Sequence, residues 1–243
     1  MMFRNILFLF VAFCGSSSAF SQVDSMESYI RNAKNEDIEI DIPTSSNIML
    51  LSNDNKHLII NEDYKPLYHA PGIGWLYSVM VESKQPGCAM LYPFIMLADA
   101  SEGSPVGLGN IVIDEIQASH NDSDYDITRD LTIIAEGDMT EYAMADTVAI
   151  YPLKLQEPFL GKYNNCVGVY LRKYAHPALV CKILLTDEGI AYKDDAIKEL
   201  LGSIRYGDKV TPECEEREKS ISNRGIFQPF EKKLWRPGIL SDN

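Results

Sequence analysis

Hydrophobic and polar positions alternate along much of this chain with a period of two, the pattern of half-buried strands. Ile38-Glu39-Ile40-Asp41-Ile42 alternates strictly and predicts a strand that Pro43 ends. Just before it, Asp24-x-x-Glu27 predicts the cap of a short helix with Met26, Tyr29, Ile30 and Ala33 at helical spacing. Residues 47–52 and 57–61 flank the turn-rich Asn53-Asp54-Asn55, which predicts a hairpin. Residues 75–82 and 88–97 form a second pair around Gln85-Pro86-Gly87, with Pro93 marking the latter strand as broken or at an edge. After a Gly- and Ser-rich loop at 99–109 come an alternating strand at 110–116 and a polar loop at 117–126. Strands at 131–135 and 147–153 then enclose a short helix near 139–146, which starts at the capping pattern Asp138-x-x-Glu141.

The next stretch is the most readable. Residues 165–175 and 179–186 make a hairpin around His176-Pro177-Ala178. The short loop sets Val167, Val169 and Leu171 on one face with Cys181, Ile183 and Leu185, and that face predicts core. Cys166, Gly168, Tyr170 and Arg172 point the other way, which argues against a Cys166–Cys181 disulfide. A turn at Asp187-Glu188-Gly189 leads to a helix with Ala196, Ile197, Leu200, Leu201 and Ile204 on one stripe, ended by Gly207. Many strands and few helices predict an α+β fold, a mostly antiparallel sheet covered by helices. Residues 208–243 differ in composition, with Pro212, Pro229 and Pro237, a charged run at 215–219 and a late cluster Phe227, Phe230, Leu234 and Trp235. They read as a strap packed on the domain, or as an extension whose aromatic residues Phe227, Phe230 and Trp235 anchor a partner.

The strand Lys182-Ile183-Leu184-Leu185-Thr186, its acidic turn, and the predicted helix from Asp194 to Tyr206 resemble the closing unit of PsbP-like proteins. The resemblance covers about residues 147–208. It implies an α/β/α sandwich with an antiparallel sheet, in a group whose members serve mostly as non-catalytic assembly or binding modules. It carries over no functional residue.

The first residues add an address. Arg4, the eight-residue apolar run from Ile6 to Phe13, and the small residues of Ser16-Ser17-Ser18-Ala19-Phe20-Ser21 have the layout of an export signal. Eight helical residues cover about 12 Å, too short for the roughly 30 Å bilayer core. The expected division is a signal peptide at 1–21, one α+β domain at 22–207 and a tail at 208–243. Cys14 as a lipidated first residue is the rival reading, but Phe13 stands where such sites take a small residue. With the signal gone, Cys88, Cys166, Cys181 and Cys214 remain, an even set that predicts one or two disulfides in an exported chain. A net charge of −13, from 35 acidic and 22 basic side chains, argues against a nucleic-acid partner.

Candidate chemistry is thin. Asp122-Ser123-Asp124-Tyr125-Asp126, beside His120, alternates carboxylates as calcium loops do, but Ile127 and Ile133 stand where the turning Gly and closing Glu belong. Cys166 and His176 sit at opposite ends of one predicted strand and make no nucleophile–base pair. No C-x-x-C, H-x-H or H-E-x-x-H spacing occurs, the Gly-rich loop lacks a following Lys, and Ser104 has no nucleophile elbow. His69 to Trp75 can give a rigid aromatic edge or simply a turn into a strand. No cofactor is implied. The expectation is an exported, soluble, non-catalytic binder of a protein partner in the cell envelope, of an immunity or assembly kind. An envelope hydrolase using Cys88 or Cys166 with a distant His is the alternative.

Overall fold

Ser25, one residue after the predicted cap, opens the first helix. Its Oγ accepts the Ser28 amide at 3.1 Å, while the Ser28 hydroxyl oxygen accepts the Ser25 amide at 3.2 Å. The computed structural model describes residues 25–42, 47–50, 77–93, 112, 115, 116, 119, 120, 129–134, 142–212, 214–216 and 219. The elements are α1 (Met26–Asn35), β1 (Ile38–Ile40), β2 (Ile48–Leu50), β3 (Tyr77–Glu82), β4 (Cys88–Pro93) and β5 (Thr132–Ile134). They continue with β6 (Thr147–Phe159), β7 (Tyr163–Arg172), β8 (Leu179–Leu185), α2 (Lys193–Gly202) and β9 (Ile204–Tyr206).

Strands β2 to β8 form a seven-stranded sheet in the order β2-β3-β4-β8-β7-β6-β5, with every neighbouring pair antiparallel. The fold is therefore α+β, as the alternation predicts. Registers Val167↔Ile183 and Val169↔Cys181 put the expected core residues of the central hairpin on one face. On that face α1, α2 and the two-stranded β1–β9 ribbon bury Tyr29, Ala33, Ile38, Ala196, Leu200, Leu201, Ile204 and Tyr206 against the sheet. The Tyr29 hydroxyl donates to the Pro93 carbonyl oxygen at 2.9 Å and ties α1 to the end of β4. The opposite face is also core. Cys166, Tyr170, Val180 and Leu184 pack there with Tyr151, Leu153, Val112 and Ile116.

The structure departs from the sequence pattern at several places. Val112, Glu115, Ile116, Ser119 and His120 have helical backbone where alternation predicts a strand and a loop. Buried Val112 and Ile116 stand four apart, so a helical period fits the same residues. The helix predicted to run to Tyr206 stops at Gly202. Ile204 and Tyr206 are buried with Arg205 exposed between them, a strand pattern that pairs with the same alternation in β1. Residues 142–146 form a turn and irregular backbone rather than the end of a helix. β4 is interior, and Pro93 is its last residue, beyond the stretch Cys88–Leu91 that pairs with β8. β2 pairs with β3, whereas its predicted partner at 57–61 lies outside the described residues. Residues 1–21, the Gly-rich loop, the 122–126 carboxylates and Phe227, Phe230 and Trp235 also lie outside them.

Candidate functional site, a buried lysine–glutamate–tyrosine cluster

At the centre of the second face one row of the sheet runs Tyr151–Gly168–Lys182 across β6, β7 and β8. The Lys182 side chain is 0% exposed, so its ammonium requires a partner inside the protein. The helical residue Glu115 supplies it, and Lys182 Nζ donates to Glu115 Oε2. The Tyr151 hydroxyl donates to the same oxygen at 2.8 Å and lies 3.3 Å from Lys182 Nζ, which can donate to it.

Two backbone features assemble this cluster. A Cβ at Gly168 would overlap the Tyr151 ring, so glycine lets that ring lie across the middle strand and reach Lys182. The lysine nitrogen stands 5.3 Å from the ring centroid. In β3, a bulge between Tyr77 and Val79 breaks the alternation. Val79 and Val81 face the α1–α2 core, whereas Tyr77 joins the Lys182 side. Its buried hydroxyl has no hydrogen-bond partner among the described residues.

Electrostatics keep these groups chemically quiet. Burial, then the charge of Glu115, holds both tyrosine hydroxyls well above their usual range. Burial pushes the Cys166 thiol up to about 12, against the opposing pull of Lys182, and does the same to Cys181. Neither is a thiolate at neutral pH. Burial also raises the Cys88 thiol, which lies 3.4 Å from the Gly189 carbonyl oxygen. The arrangement pins the Glu115 segment to the sheet through a charged hydrogen-bond set.

The expected disulfides do not form. Cys88, Cys166, Cys181 and Cys214 are all free, the first three buried and the last half-buried. Cys166 and Cys181 face opposite sides of the sheet. Cys88 is level with Leu185, four residues along β8 from Cys181, about 13 Å at strand spacing. Cys214 sits after the last strand, where its amide donates to Thr211 Oγ1 at 3.2 Å. Cys166 lies near the β6–β7 end of its strand and His176 in the loop beyond the other end, so the structure does not bring them together.

His120 Nδ1 lies 2.8 Å from the Ile116 carbonyl oxygen. Among the described residues no three His, Cys, Asp or Glu side chains are grouped to hold a metal ion, and no helix is long and apolar enough to cross a membrane. The Lys182–Glu115–Tyr151 cluster was missed in the sequence. A lone lysine at an inward position of an otherwise apolar strand, Leu179–Leu185, was the available signal. Comparison with family models, with curated proteins and with solved structures finds no match for the chain.

Proposed function

We propose that this chain is an exported, non-catalytic protein that binds a protein partner in the cell envelope, of an immunity or assembly kind. One observation carries the reading: among the described residues, Lys182, Glu115, Cys166 and Cys181 are locked inside the protein on the two faces of the sheet. Lys182 and Glu115 are committed to each other, and the thiols of Cys166 and Cys181 are buried and protonated. What the protein offers a second molecule is then its outer surface, in a chain of net charge −13. Such a field speeds encounter with a basic partner and loses that advantage as salt rises. The signal-like start and the resemblance of residues 147–208 to PsbP-like proteins support the same reading. In it, Phe227, Phe230 and Trp235 are the anchors.

The test is capture from an envelope fraction by the chain beginning at Gln22, beside a Phe230→Ala/Trp235→Ala form. Aromatic anchors in a buried interface cost about 2 kcal/mol or more each on truncation, so the substituted chain should lose the partner. Full retention by the substituted chain contradicts the role given to the tail.

A further inference from the structure

Lys182 and Glu115 stand 67 residues apart in the chain and meet inside the second core, with side chains 0% and 5% exposed. Keeping an ammonium and a carboxylate there carries a desolvation cost that their attraction offsets only in the best geometries. An amide between the two side chains is neutral and removes that cost. The atoms such a bond needs are already together. Lys182 Nζ is in direct contact with Glu115 Oε2. The Tyr151 hydroxyl links the same two atoms, donating to Oε2 at 2.8 Å and accepting from Nζ at 3.3 Å. It forms a path along which a proton can pass from the nitrogen to the oxygen without entering solvent.

The surroundings favour the same step. Contact fixed by the fold supplies the proximity that free side chains lack. Cys166 faces the same core, but burial pushes its thiol up to about 12, so it does not compete as a nucleophile. Cys88, Cys166, Cys181 and Cys214 are free, so no disulfide among them ties the Glu115 segment to the sheet. Once made, an amide here is shielded from hydrolysis, because water has almost no access to either side chain.

We propose that Lys182 and Glu115 condense into an intramolecular isopeptide bond, with the Tyr151 hydroxyl as the proton relay. The Nζ–Cδ bond forms and the Cδ–Oε2 bond breaks. Of the three ammonium protons, one stays on the amide nitrogen and two leave with Oε2 as water. One of the two passes directly to Oε2. The other goes by way of Tyr151, which gives its own proton to Oε2 and takes one from Nζ. The ammonium and carboxylate charges cancel, no proton is exchanged with solvent, and no oxidant or activating group is required. The bond fastens the Glu115 segment covalently to β8, and it stands whether or not the chain binds a partner.

The measurement is the intact mass of the chain as purified, unfolded and reduced before weighing, followed by proteolysis. The expected result is a mass lower by one water than the sequence requires, and a branched peptide that joins Lys182 to Glu115. Lys182→Met should carry the full mass. So should Glu115→Leu, which serves if the first variant does not fold. Tyr151→Phe keeps the ring and removes the relay. A positioned proton donor contributes about 100-fold or more in rate, so this variant should be isolated with most chains unlinked. A full mass in the unsubstituted chain overturns the proposal, as does a water deficit that persists in Lys182→Met. A Tyr151→Phe chain linked as completely as the unsubstituted one overturns the role given to the tyrosine.

Discussion

A methyl group at Gly168 would occupy the space of the Tyr151 ring, and that ring carries the hydroxyl that donates to Glu115. Gly168→Ala should therefore displace the ring and cost about 1–3 kcal/mol in urea denaturation, by overpacking and by loss of the bond to Glu115. An unchanged midpoint would show that the ring does not need the glycine. Glu115→Gln leaves Lys182 as a buried charge without its counterion, and should cost about 3–5 kcal/mol. The double change Lys182→Met/Glu115→Leu removes both charges and should recover most of that loss; failure to recover would mean that the pair does more than neutralise itself. The thiols add a pH effect. Cys166 and Cys181 keep their protons in the fold up to about 12, against an ordinary 9.0. The unfolded chain thus releases protons first. Stability is fully present below about pH 9 and should fall as pH rises from there toward 12, at about 1.4 kcal/mol per pH unit for each thiol. The urea midpoint across pH 8 to 11 checks this, and replacing both cysteines by Ala should make the fall shallower.

At the scale of elements, the period-two pattern was readable where one face of a strand is left exposed, as in β1. It was less informative where both faces are covered. β8 is buried at all seven positions, so its lysine looks like an outward residue until the Glu115 segment is placed over it. The pattern at 110–116 misled because Val112 and Ile116 satisfy a helical period as well as a broken strand. β9 was hidden for a different reason. Ile204 continues the apolar stripe of α2, and only pairing with the distant β1 makes Ile204–Tyr206 a strand. The bulge that moves Tyr77 to the Lys182 side leaves no mark in composition. The cap of α1, by contrast, lies one residue from its predicted place. Ser25→Ala removes the acceptor of the Ser28 amide and should cost about 1 kcal/mol, read as a lower thermal midpoint; no shift would mean that the cap is redundant with the Tyr29 anchor.

For the whole molecule, the structural roles lie in the interior and the proposed binding role on the surface. Each face of one antiparallel sheet has its own core, and the candidate nucleophiles Cys88 and Cys166 sit in different ones. The cysteine count that suggested disulfides instead describes three buried thiols and one half-buried thiol, Cys214. Thiol reactivity of the native chain from Gln22 onward tests this division most directly, by titration with an aromatic disulfide reagent near pH 7.5. Cys214 alone should react readily, and Cys88, Cys166 and Cys181 should react only on unfolding. Rapid reaction of Cys88 or Cys166 in the folded protein, with an apparent pKa below the ordinary thiol range, would contradict it and point to an activated nucleophile.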